Sequence, residues 1–341
     1  MTKRRWKLFD ALLLAPWLAL FGCGPRTWQA AQTGSGTITR PDGPALFWRT
    51  IGAGRDTVVV LHGGVAGHQG YLLQPLVPLA EQHTLLFYDM RGRGRSEAVD
   101  TSRLSLAADV EDLEAVRQHF HLRRLKIVAH HFGAAVAAQY AVAHPGDVER
   151  MLFVSPFPVH HSLLYEFTFL QGDSAHYAGT LSRVGQMNRP ESVAAACPAA
   201  WSLYFAPWRT DTLTPYEQIA TGMCDAPVER LAAAVQVRNR IQGGLGMYVW
   251  REQMHRVAVP TLVIEGRGTP AIETAAVRWA QHLPNARVVL MEPPYLFPWV
   301  HDPARFSATA EEFLGGNWPA ASVKPAPFQA TAMAAPDSSK K

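Results

Sequence analysis

Short, continuously apolar runs recur along the chain at Thr57–Leu61, Thr84–Tyr88, Leu125–Ala129, Met151–Val154, Thr261–Ile264 and Arg287–Met291. Runs of that length without a polar face suit parallel strands buried on both sides. Helical patterns separate most of them, at Leu72–Glu81, Leu106–His119, Gly133–His144, Ile272–His282 and Pro303–Leu314. Strand and helix alternating at this spacing predict an α/β fold built on a doubly wound, mostly parallel sheet. Two further extended segments, Thr37–Arg40 and Leu46–Ile51, precede the alternation; the turn Pro41-Asp42-Gly43 separates them and a Thr/Gly/Ser-rich linker, Ala30–Gly36, leads in.

Between His160 and Gly246 the alternation breaks into aromatic-rich helical pieces with no strand pattern. An insertion after the sixth strand would overlie the carboxyl ends of the sheet, where open α/β sheets bind ligands, so a helical lid is expected there. The chain then divides into core (30–159), lid (160–246) and core (247–315), with a Pro/Ala/Ser/Lys-rich disordered tail expected over 316–341. At 341 residues and 48% hydrophobic content, the chain is large and apolar enough for one sizeable core.

The amino-terminal segment has its own pattern. Lys3, Arg4, Arg5 and Lys7 precede an apolar run from Leu8 to Gly22, interrupted by Asp10, and Cys23 follows. The run is short for a bilayer span and reads as a secretory signal over 1–23. Leu20-Phe21-Gly22-Cys23 resembles a bacterial lipobox, which implies lipidation of Cys23 and an exported cell-envelope lipoprotein facing the periplasm. Gly24, in place of an inner-membrane retention aspartate, leans toward the outer membrane. Residues 1–22 carry four basic side chains and one acid, and so account for +3 of the formal net charge of +4. The nearly neutral remainder has no footprint for nucleic acid. Cys197 and Cys224 are left as a pair that an oxidising compartment would bridge, worth roughly 3 to 4 kcal/mol, or as two buried thiols. No C-x-x-C spacing points to zinc, and no cofactor is expected.

Five motifs follow in order: H-G-G-V-A-G (His62–Gly67), Y-D-M-R-G-R-G-R-S (Tyr88–Ser96), V-A-H-H-F-G (Val128–Gly133), E-G-R-G-T-P (Glu265–Pro270) and F-P-W-V-H-D-P (Phe297–Pro303). Together they resemble the α/β-hydrolase-fold superfamily, most closely its proline iminopeptidase-like branch. The resemblance implies a nucleophile, an acid and a histidine in that order, with the nucleophile on a G-x-S-x-G elbow. The matching positions hold His131, Thr269 and Leu296. It also implies oxyanion-type backbone donors at Phe132 and Gly64.

Imidazole, hydroxyl and isobutyl groups at these positions cannot relay a proton as a serine triad does. Ser155 and Ser96 sit on no elbow and read as structural. Among His62, His130, His131, His160 and His161, metal-free relatives already use the first two types, so no metal site is assigned. The lid aromatics Trp201, Tyr204, Phe205, Trp208, Tyr216 and Tyr248 read mainly as packing; any that face inward would make an apolar cleft with donors at its floor. The expectation is therefore a lipid-anchored protein without serine-hydrolase activity that binds a small ligand or protein partner. The alternative is an active aminopeptidase- or esterase-like hydrolase using a non-standard catalytic residue.

Overall fold

The computed structural model describes residues 32–163, 173–206, 214–268, 270–292 and 296–326. Among them β1 (Gln32–Ile38), β2 (Leu46–Ile51), β3 (Asp56–Leu61), β4 (His83–Tyr88), β5 (Leu125–His130), β6 (Val148–Val154), β7 (Thr261–Gly266) and β8 (Ala286–Met291) form one sheet in the order β1-β2-β4-β3-β5-β6-β7-β8. The strands from β4 to β8 pair in parallel, whereas β1 and β2 add on antiparallel at one edge.

Helices α1 (Leu106–His119) and α2 (Phe132–Ala143) connect the central strands. Between β6 and β7 lies an insert of α3 (Asp173–Gly185), α4 (Pro190–Phe205), α5 (Thr214–Gly222) and α6 (Val228–Leu245), and α7 (Pro270–His282) and α8 (Pro303–Leu314) complete the fold. One face of the sheet is covered by residues such as Leu113, Val136 and Trp279, the other by Leu76, Phe306, Phe313 and the insert. The doubly wound sheet expected from the apolar runs is thus present, with both faces buried.

Three stretches depart from expectation. The Thr/Gly/Ser-rich segment read as a linker is strand β1, which ends before Arg40. A methyl group on Gly36 would lie 3.0 Å from the Trp48 ring, so this glycine clears space for an indole that also packs edge-on to Phe120. The helix expected over Leu72–Glu81 breaks into short turns, Gln69–Leu72, Leu73–Leu76 and Val77–Glu81. Pro75 and Pro78 each remove the N–H that a continuous helix needs. The tail expected over 316–341 is corrected at its start: Trp318 packs on Phe313, Arg287 lies over the Trp318 ring, and Val323 pairs with Val288. Two backbone hydrogen bonds between Val288 and Val323, with the contacts of the Trp318 ring, place that stretch on the sheet edge. The signal segment with Cys23, together with Thr269, Trp208 and the tail from residue 327, lies outside the described residues.

The insert meets the carboxyl edge of the sheet at several points. Asp225 pairs with Arg49 at 3.3 Å and with Arg95 at 2.5 Å, and Phe205 packs edge-on to Phe297. The Cys197–Cys224 bridge is formed and ties α4 to the residues after α5.

Candidate functional site

Strand β5 ends at His130 and α2 begins at Phe132, leaving His131 alone in the connecting turn at φ 46°, ψ −113°. A residue with a Cβ holds such a conformation only where its surroundings fix it. Here His131 N–H donates to Val154 O, while its carbonyl accepts from Ala134 N–H and Phe157 N–H, each at 3.0 Å. The H-G-G turn presses on it from the other side, since a methyl group at Gly63 would come within 2.7 Å of His131 Cβ. The backbone is therefore a nucleophile elbow. Its side chain is an imidazole set edge-on to Phe157 at 5.3 Å. Nδ1 is sealed from solvent without a partner, which leaves the Nε2 edge as the accessible one. Burial holds the ring's pKa down at about 4, so it is neutral at physiological pH.

His130, one residue earlier, anchors a chain of hydrogen bonds beneath the elbow. Gly63 N–H donates to Tyr71 Oη at 2.7 Å, and Tyr71 Oη–H in turn donates to His130 Nδ1 at 2.6 Å. With Nδ1 accepting, the proton sits on Nε2 and donates to Leu296 O at 2.6 Å. Burial and the adjacent His131 push the His130 pKa down to about 3, which keeps this neutral tautomer in place. Leu296 thus stands beside the elbow and takes part through its peptide group. Its φ of 70° is a second strained point on the same edge.

A third is Ser155, at the end of β6 with φ 44°. Its hydroxyl donates to Glu265 Oε1 at 2.7 Å, Gly266 N–H donates to the same oxygen at 3.0 Å, and Leu296 N–H also donates to this carboxyl. Burial pushes the Glu265 pKa up to about 8 despite these donors. The Leu296 peptide therefore joins the His130 chain to the Glu265 cluster. Glu265 has no assigned role in the sequence reading, although a carboxylate closing the apolar run Thr261–Ile264 had to find partners on burial. Ser155 has its hydroxyl committed to that carboxyl, and Ser96 likewise donates to Asp89 O and accepts from Phe47 N–H.

Phe132 N–H opens α2, and Gly64, at φ 63°, lies in the H-G-G turn pressed on the elbow. No acceptor among the described residues meets either N–H. From the insert, Tyr177 reaches this corner: a methyl group on Gly64 would stand 3.2 Å from its hydroxyl. Tyr177 packs against Trp201 and Tyr204, which with Phe205 and Tyr216 are buried among themselves. His62 accepts from Met90 N–H, and His160 Nδ1 bonds Ser162 in its own loop. The described groups at this corner can donate hydrogen bonds to a ligand oxygen, while the hydroxyl that meets an imidazole, Tyr71 Oη on His130 Nδ1, lies in the chain between Gly63 N–H and Leu296 O beneath the elbow.

Comparison with known proteins places this arrangement. A family model described as the alpha/beta hydrolase fold matches residues 56–295, well over half of the chain. A proline iminopeptidase of Heyndrickxia coagulans is 36% identical over 104 residues, 30% of this chain and 36% of the relative. The aligned stretch thus spans about a third of the curated relatives' length. Among solved structures, a proline iminopeptidase of Mycobacterium smegmatis superposes with a TM-score of 0.62 at 19% identity, over 83% of this chain and 98% of that one. A hydrolase from Pseudomonas aeruginosa PA01 does so at 0.60 and 21%, over 83% and 99%.

Proposed function

The chain belongs to the alpha/beta hydrolase fold family, and from that membership we propose an exported, lipid-anchored member that lacks serine-hydrolase activity and binds a small ligand or partner in the cleft over His131. One observation carries the reading: the elbow keeps its strained backbone while presenting an imidazole. Serine-type acyl transfer needs a hydroxyl whose proton passes to an imidazole oriented by a carboxylate. His131 offers no hydroxyl and Leu296 no imidazole, and the nearby hydroxyl of Ser155 donates to the Glu265 carboxyl and not to an imidazole. What survives is backbone donation, which can hold a carbonyl or carboxylate without turning it over. Export is supported by the basic and apolar start ending at Cys23 and by the Cys197–Cys224 bridge, a bond that persists in oxidising compartments.

The test is activity-based labelling of the purified mature protein with a fluorophosphonate, beside a His131→Ser, Thr269→Asp, Leu296→His variant. The wild type is expected to stay unlabelled and the variant to label; stoichiometric labelling of the wild type would overturn the reading. For the anchor, Cys23→Ala is expected to move the protein from the membrane fraction to the soluble one.

A second reading, an active hydrolase of another kind, is favoured by the accessible edge of a neutral imidazole, which is nucleophilic. Turnover of aminoacyl or ester substrates by the wild type, abolished in His131→Ala, would establish it.

A further inference from the structure

The insert is held against the sheet side in two different ways. Residues 222–225, where α5 ends, are held by bonds from several core segments. Asp225 accepts from Arg49 on β2 and from Arg95 in the turn after β4, and Met223 O accepts from His68 Nε2 at 3.0 Å. Backbone also meets backbone there: a methyl group on Gly70 would lie 2.4 Å from Gly222 O, and one on Gly222 would lie 2.5 Å from Tyr71 Cα. Only glycines permit so close an approach, and the segment is a fixed post. Helix α6 is pinned in the same manner, with Arg230 donating to Ser96 O at 3.2 Å and Arg240 to Thr101 O at 3.0 Å. Helix α4 meets the elbow side through rings instead. Phe205 stands edge-on to Phe297, which stacks on His130 at 5.7 Å, and Trp201 and Tyr204 pack on Tyr177 beside Gly64. Apolar contact is non-directional, so the position of α4 depends on its covalent tie, the bond from Cys197 to Cys224 inside the post.

We propose that this bridge is a redox-operated fastener of the insert: formed, it ties α4 to the post and keeps the α4 rings against the elbow; reduced, it lets α4 move off and opens the way to His131. The fastener rests on the ligand-binding reading above and names how access to that cleft is controlled. Opening the bridge frees α4 alone, because residues 222–225 keep their own bonds to Arg49, Arg95 and His68. The reductant is a dithiol. Cys197 is fully buried and Cys224 half-buried, so an incoming thiolate attacks the Cys224 sulfur. The S–S bond breaks with Cys197 leaving as a thiolate, and the second thiol of the reductant closes on the mixed disulfide and releases Cys224. The protein gains two electrons and two protons, and the reductant becomes a disulfide. In an oxidising compartment the fastened form is the resting one.

The experiment follows hydrogen exchange in the mature protein in three forms: oxidised, reduced with dithiothreitol, and as a Cys197→Ser, Cys224→Ser variant. In both open forms the amides of α4 are expected to exchange about tenfold faster, while those of α6, pinned by Arg230 and Arg240, stay within about twofold. A second measurement reads access to the elbow through acylation of imidazole by diethyl pyrocarbonate, mapped by peptide mass. His131 should react about fivefold faster in the serine variant than in the oxidised wild type. His130 should stay unmodified in both, since its two ring nitrogens are bonded to Tyr71 and Leu296. Exchange in α4 that is the same in oxidised and reduced protein overturns the proposal, and so does equal quickening of α4 and α6, which would mean general loosening. Equal acylation of His131 with the bridge open and closed overturns the control of access. Fluorophosphonate labelling of the wild type in either redox state overturns the loss of serine-hydrolase activity and leaves the fastener standing.

Discussion

The turn from Asp89 to Ser96 and the corner around His131 lie at the same carboxyl edge of the sheet, and both bury polar side chains. In the turn, each of these finds a partner. Arg93 meets Asp109 through two bonds of 2.8 and 3.0 Å, Arg91 meets Asp112 at 2.7 and 2.6 Å, and Asp89 accepts Gln69 N–H and Arg95 N–H. At the corner, backbone and indole donors are left over and three non-glycine residues, His131, Ser155 and Leu296, hold positive φ. The turn is closed and shapes the scaffold. Of the four non-glycine residues that hold positive φ among the described residues, three stand at this corner, and strain of that kind gathers where a site is kept.

The largest expected effect that would sharpen this contrast is the pH dependence that Glu265 brings to the corner. Glu265 is held near 8 in the fold against an ordinary value of 4.5. Below about pH 4.5 both folded and unfolded chains carry the proton, and nothing is lost. Between there and about 8 the unfolded chain releases it first, so stability falls with rising pH, by up to roughly 5 kcal/mol, and the loss is complete above 8. The buried histidines His130, held at about 3, and His131 and His282, each held at about 4, contribute the opposite slope up to about pH 6.5. Urea denaturation of Glu265→Gln beside the wild type at pH 5 and pH 8.5 separates the two, because the variant keeps only the histidine slope. Parallel curves for the two proteins would show that Glu265 does not carry the titration.

Next comes the closed turn. Asp109→Ala strands the Arg93 guanidinium, 2% exposed as a residue, beside Val65 O and Arg91 O without its counter-ion. Breaking one partner of a buried pair costs about 3 to 5 kcal/mol, and the midpoint in urea should fall accordingly. Opening the Cys197–Cys224 bridge with a double serine variant should cost about 3 kcal/mol, with the loss greatest in the insert as read by hydrogen exchange across α4 and α5.

Much of the scaffold was legible from the chain. Six apolar runs became six parallel strands, and Leu106–His119 and Pro303–Leu314 are helices with the expected ends. These signals are local, since a strand buried on both faces shows itself through composition alone. β1 was not legible, because Gly34 and Gly36 carry little strand signal and owe their place to Trp48 across the pairing. The strained turn at His131 could be placed from V-A-H-H-F-G, whereas the residue that meets Leu296 is His130, one position earlier. The Ser155–Glu265–Leu296 cluster could not, because it forms between side chains and peptides 31 to 141 residues apart whose directions are set only once β6, β7 and the loop before Phe297 meet. Nor could the unpaired indoles, since a tryptophan in sequence does not say whether its N–H finds an acceptor.

The smallest expected effect concerns how far the Leu296 side chain is built into this corner. Leu296 serves the fold through its carbonyl, which receives His130, and its N–H, which reaches Glu265; its isobutyl group is only part-buried. Leu296→His keeps both peptide contacts and exchanges one half-exposed side chain for another. Its cost in urea denaturation should stay below about 1 kcal/mol, several times smaller than that of Asp109→Ala. On its own it should also leave fluorophosphonate labelling absent, because His131 still supplies no hydroxyl. A cost equal to that of Asp109→Ala would mean that the leucine side chain is as deeply built into the scaffold as the turn. The distinction between a closed region and an open one would then fail. If the cost is small, the Leu296 side chain is separable from the frame around it, and the elbow, the H-G-G turn and their hydrogen-bonded floor stand on peptide groups that do not depend on it.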